Sequence, residues 1–178
     1  MESQGKEGSL RLMTQGEIML AKSLYGNSIK YNQVWVHCDS YLPFGLQNEN
    51  TAMAPNGEIY FRKEKYYRDF SHAPVRDKHI FLHEMMHVWQ HQKGYNVRLK
   101  GMFSWASNYH YTLGDALLDY PLEQQAGIVS DYWLLEKHGI TSWEYYTKAS
   151  IITPRPDFKQ LMHLYKQTIG SFLYQGFI

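Results

Sequence analysis

Apolar and polar positions along this chain alternate between two periods. From Thr14 the pattern is helical: Leu20, Ala21 and Leu24 give one apolar face, Thr14 and Glu17 form a capping-box pair, and Gly26 suits the C-terminal cap. In YNQVWVHCD the period drops to two, with Val34 and Val36 alternating with Trp35 and His37, a strand pattern. Residues 48–57 are turn-rich, and residues 58–62 (EIYFR) predict a second strand. A helix-length segment then runs over about residues 75–93 and stops at Gly94. Residues 95–119 form a long connection rich in Tyr, Gly, Ser and Asn, and connections of that length inside a domain usually serve function. Pro121 opens another helix that ends at Gly139, after Lys137 and His138. A last helix follows Pro154 and Pro156, with Phe158, Leu161, Met162, Tyr165 and Ile169 at helical spacing. Residues 1–13 are polar and Gly-rich and are expected to be a flexible leader or linker, with residues 14–178 as one domain.

The second predicted helix, with its stop, carries HEMMHVWQHQKG, residues 83–94. On a helix, positions four apart project from one face, so His83 and His87 can offer two imidazoles to one ion. Glu84 is rotated toward the flank of that ion, where it can take a proton from water and pass it to a leaving amine. This is the H-E-x-x-H arrangement of zinc peptidases. With nine His in 178 residues, random placement gives roughly 0.02–0.03 such motifs, so chance is a modest threat. The uncharged Met85, Met86, Val88 and Trp89 suit a helix buried beneath a metal. His91 lies a further turn along, about 12 Å from His83, and no glycine turn brings it back; it is expected on the outer helix, not as a ligand.

A catalytic zinc takes three protein ligands and keeps a position for water. His110, Asp115, Asp119, Glu123, Asp131 and His138 are the candidates for the third, and Glu123 is preferred. Its neighbours on the same helical face, Ala126, Gly127 and Ser130, are all small, so one helix can approach another closely enough for a short carboxylate to reach the metal. Helix capping is the competing role, but Tyr120 cannot supply the other half of a capping box.

Composition narrows the field. The formal net charge is +1 with no basic run, which argues against a nucleic-acid partner. No apolar run approaches the ~20 residues that cross a bilayer, so no membrane insertion is expected, and the N-terminus lacks a signal peptide's apolar stretch. The single cysteine, Cys38, excludes an intrachain disulfide and Cys-rich zinc ribbons; it reads as a small buried residue at a strand end. Fifteen tyrosines supply an aromatic share of 16%, suited to grooves.

The combination of HEMMHVWQ (83–90) with EQQA (123–126), preceded by AMAPNGEIYF (52–61) and DFS (69–71), resembles the zinc metallopeptidase domain found at the C-termini of VgrG-type spike proteins and in Rhs-related proteins of type VI secretion. The resemblance covers most of residues 14–138. It implies an α+β, zincin-like fold: a small sheet on the active-site helix and a mainly helical C-terminal half. It implies Zn²⁺ held by His83, His87 and Glu123, with Glu84 as general base. It also implies an antibacterial effector, made in the cytoplasm, delivered by a secretion system and acting on a protein or peptide in the periplasm of a rival cell. Spike proteins and an immunity protein are the partners this would bring, and the chain reads as an excised domain or a stand-alone effector. One departure concerns the position four after the third ligand, which is acidic in many glutamate-type zincins but Gly127 here; Asp119 or Asp131 is then expected to serve as outer-shell carboxylate.

Tyr109, His110, Tyr111 and Tyr132 are the candidate donors to a tetrahedral oxyanion. Residues 58–62 are expected as the sheet edge that receives an extended peptide, and residues 95–119 as part of the cleft wall. Two alternatives compete: a zinc amidase acting on peptidoglycan cross-links, and a metal-stabilised binding module acting through a partner. A purely structural metal site has no need of Glu84, which weighs against the second.

Overall fold

The computed structural model describes residues 5–97, 110–147 and 156–172. Its sheet has four strands: β1 (Ser9–Leu12), β2 (Trp35–Cys38), β3 (Ala52–Met53) and β4 (Ile59–Phe61), in the order β1-β2-β4-β3. β1 runs antiparallel to β2, β2 parallel to β4, and β3 antiparallel to β4. Side chains alternate as the period of two requires: Val36, Cys38, Ile59 and Phe61 are buried, while Trp35, His37 and Tyr60 face the other way, half-buried.

Two expectations change here. Ser9–Leu12, assigned to the leader, is a strand; its short alternation of Leu10 and Leu12 is masked by the glycines and charges before it. Residues 58–62 are not the sheet edge: β4 pairs on both sides, and the edge beside it is β3. β3 is only two residues long, too short for its sequence to show any alternation.

Helix α1 (Gln15–Tyr25) begins with the expected capping box, Thr14 accepting from Glu17 N and Glu17 accepting from Thr14 N. Helix α2 (Val75–Gln92) buries Phe81, Leu82, Met85, Met86, Val88 and Trp89. Helix α3 (Leu122–Tyr146) follows Pro121, which is its N-cap rather than its first helical residue. At Gly139 the backbone turns to φ +77°, ψ 179°, so the expected stop is a break after which one or two further turns continue. Helix α4 (Phe158–Ile169) is capped by Asp157 and Gln160 and buries Leu161, Tyr165 and Ile169, while Phe158 in its first turn stays exposed. Among the described residues no helix is long and apolar enough to cross a membrane.

Phe70 joins sheet to helix. It lies in a short 3₁₀ turn before α2, with its ring 4.3 Å from that of Phe61 on β4 and 5.0 Å from that of Phe81 on α2. Its backbone N–H donates to Glu17 Oε1 at 2.9 Å. Glu17 also accepts two bonds from Arg11 of β1, at 2.7 and 2.8 Å, and Arg11 in turn donates to Tyr67 O. One fully buried carboxylate therefore clamps β1, α1 and the turn that aims α2.

Glu17→Ala should cost about 3–5 kcal/mol, because it leaves the Arg11 guanidinium and two backbone N–H groups without their acceptor. Urea unfolding of the metal-free protein measures this, and a loss below about 1 kcal/mol would contradict the clamp.

Candidate metal centre

α2 and α3 pack antiparallel, and their facing sides carry polar residues in register. His87 meets Glu123 near the start of α3, and His79, eight residues earlier on α2, meets Asp131, eight residues later on α3. Eight residues span about 12 Å on each helix, so both rungs close together.

At the first rung, His83 Nε2 and His87 Nε2 lie 3.4 and 3.3 Å from the same atom, Glu123 Oε2. A donor atom from each of the three residues falls within 4.8 Å of the others. The spacing discriminates between two explanations. Charge-assisted N–H···O⁻ bonds close to ~2.7–2.9 Å. Neighbouring ligands of a tetrahedral ion with bonds of ~2.0–2.1 Å sit about 3.3 Å apart. The two imidazole–carboxylate separations match the second, and the cluster could hold a metal ion. His87 and Glu123 are buried and His83 is half-buried.

The remaining nitrogen of His87 is also held. Its Nδ1 lies 2.8 Å from Gln90 Oε1, and Gln90 Nε2 donates to Leu122 O and Gln125 Oε1 at 3.0 Å each. Gln90 and Gln125 stand inside the two sequence motifs, but sequence alone assigned them no role. The available signal was spacing: Gln90 is one helical turn after His87, and Gln125 lies just beyond Glu123.

Glu84 is buried beside the cluster, and burial raises its pKa against the opposing pull of His87 and His83. Burial alone would lower His87, but the Glu123 carboxylate outweighs it and lifts the imidazole to about 9. Burial likewise acts to raise Glu123, and the facing His83 and His87 imidazoles overcome it and hold the carboxyl well below its ordinary range.

The other candidates for the third ligand are not part of this cluster. His110, Asp115, Asp119 and His138 are exposed, and Asp131 is buried against His79. His91 is exposed and lies against Gly57, where a Cβ would come within 2.5 Å of its ring. Asp131 does orient a histidine, but the one on the second rung: His79 Nε2 is 2.7 Å from its Oδ1. Gly127 stands between the rungs, and the Tyr111 ring packs over it. Tyr111 donates to Asp131 Oδ2 at 2.6 Å and shares a bond with Tyr165, which accepts from Trp143 Nε1. Tyr111 is thus committed to a buried network, and Tyr132 donates to Glu136 at 2.7 Å. Both hydroxyls donate to carboxylates in this structure. The His110 carbonyl accepts from Gln124. Tyr109 and most of the expected cleft wall lie outside the described residues.

No protein-family model matches the sequence. The chain is 43% identical over 133 residues to the type VI secretion system spike protein VgrG2b of Pseudomonas aeruginosa; the match takes in 70% of this chain and 13% of the spike protein. Among solved structures it is similar to the effector domain of Pseudomonas aeruginosa VgrG2b, with a TM-score of 0.63 and 36% identity, covering 79% of this chain and 84% of that one.

The ionisation states predict opposite pH trends with and without metal. In the metal-free protein the raised His87 stabilises fully below its unfolded pKa of about 6.5, and this is lost as pH rises through about 9. The depressed Glu123 stabilises above its ordinary range and loses that only as pH falls into acid. Tm of metal-free protein should therefore fall between pH 6.5 and 9, whereas the Tm gain on adding Zn²⁺ should grow over the same range, because the metal requires deprotonated imidazole. Parallel trends in thermal melts would contradict a shared site.

Proposed function

Given that this chain belongs to the family of the type VI secretion VgrG2b effector domain, we propose that it is a zincin-like zinc metallopeptidase and an antibacterial effector. The observation that carries the reading is the convergence of His83 Nε2 and His87 Nε2 on Glu123 Oε2 at 3.4 and 3.3 Å, with Glu84 buried next to His83.

Two imidazoles and a carboxylate are a donor set suited to Zn²⁺ that leaves a coordination position open. When bound, the ion would act as Lewis acid toward water and toward a scissile carbonyl. The chain's own residues do the rest. His87, held by Gln90, and His83, one turn earlier, would hold the ion together with Glu123. Glu84 accepts the proton of the attacking water and delivers it to the departing nitrogen. Burial raises the Glu84 carboxyl, which favours this shuttle. The short edge strand β3, which neighbours α2, is the sheet edge that would receive an extended peptide.

As an effector the chain would be carried by secretion spike proteins, act in the periplasm of a target cell, and be countered there by an immunity protein. Zinc-loaded Glu84→Gln should keep its metal and lose ~10²–10⁴ in turnover of denatured protein substrates. Cleavage of purified sacculi alone, with no protein hydrolysis, would replace the peptidase by a peptidoglycan amidase. In a Gram-negative host, growth inhibition is expected only when the chain carries an export signal, and it should vanish in Glu84→Ala. Inhibition that persists in Glu84→Ala would contradict catalysis as its cause.

A further inference from the structure

Gln90 is fully buried and Gln125 is 2% exposed, and their amides form a chain whose polarity is fixed at its ends. Gln125 Nε2 lies 2.7 Å from Tyr120 O, and Gln90 Nε2 lies 3.0 Å from Leu122 O. Backbone carbonyls only accept, so both contacts must be made by amide NH₂ groups. Gln125 Oε1 then faces Gln90 Nε2, and Gln90 Oε1 is left as an acceptor. Its partner at 2.8 Å is His87 Nδ1, which must therefore carry a proton. In the neutral ring that leaves the Nε2 lone pair on the side of Glu123 Oε2.

We propose that Gln90 is a positioning residue for the metal and that Gln125 orients Gln90. The two amides, anchored on backbone carbonyls at the start of α3, convert the packing of α2 on α3 into the tautomer and direction of one ligand. The inference rests on the metallopeptidase reading and deepens it. The choice of an amide has a physical reason. Glu84 and Glu123 already place two buried carboxyls around this imidazole. An amide accepts the Nδ1 proton without bringing a third negative charge into the same desolvated space.

The competing role is that Gln90 only ties the helices together, and two variants separate the two. Gln90→Leu removes the acceptor; Gln90→Glu keeps an acceptor for His87 but loses the donor to Leu122 and Gln125. Zinc dissociation constants come from competition with a chromogenic chelator, well below each variant's melting temperature. Gln90→Leu should weaken zinc ten- to a hundredfold. Gln90→Glu should melt earlier without metal yet hold zinc as tightly as the parent or more so. Parent-like affinity in Gln90→Leu, or equal losses in the two variants, would overturn the proposal.

A second readout needs no metal. At pH 7 the His87 ring proton on Nδ1 should exchange slowly with solvent in the parent protein and rapidly in Gln90→Leu, by NMR. Rapid exchange in the parent would overturn the hydrogen bond itself. Failure of the parent to bind zinc would instead remove the proposed function, while the NMR comparison still decides the role of Gln90.

Discussion

The antiparallel packing of α2 on α3 sets a desolvation problem that the rest of the molecule is arranged around. Both helices are buried among apolar residues, Leu82, Met85 and Met86 on α2 and Ala126, Ile128 and Val129 on α3. A polar seam is buried with them: Glu84, His87 and Gln90 on one helix, Glu123, Gln125 and Asp131 on the other. Each such group is costly to bury alone. Register makes them tolerable, because the two rungs, His83 and His87 with Glu123 and His79 with Asp131, close at the same helix separation. Ala126 and Gly127 keep α3 slim where the seam passes, and the Tyr111 ring fills the space over Gly127.

The sheet holds this helix pair in place rather than entering the site. Phe70 stacks between Phe61 and Phe81, and Glu17 pins the turn that carries Phe70. Position passes from β1 and α1, through a buried carboxylate and an aromatic stack, to the start of α2. The second rung extends the same logic to the C-terminal helix: Asp131 of α3, Tyr111 and Tyr165 of α4 form a buried hydrogen-bonded line, and Trp143 of α3 donates to Tyr165 as well. The His83–His87–Glu123 cluster and the C-terminal helix thus share one support.

What the sequence disclosed depended on how local each feature is. His83 and His87 lie one turn apart, and the Thr14–Glu17 box and the Gly139 break are each contained within a few residues, so all were legible. Glu123 was accessible because its neighbours are small. β3 escaped because two residues carry no period, and β1 because its alternation follows a glycine- and charge-rich start. The pairing of Asp131 with His79 could not be read without the helix register, since it joins positions 52 residues apart. Gln90 and Gln125 were visible as letters but not as chemistry: an amide's role depends on which of its ends meets a carbonyl, and only the folded chain decides that.

The central claim is that two imidazoles and one carboxylate at the α2–α3 junction bind a single zinc ion. Zinc K-edge X-ray absorption on protein loaded with one equivalent tests it most directly. The account predicts a four-coordinate first shell of nitrogen and oxygen at ~2.0–2.1 Å, with outer-shell scattering from two imidazoles. A shell of oxygen alone, or scattering that survives unchanged when His83 and His87 are both replaced by Ala, would contradict it.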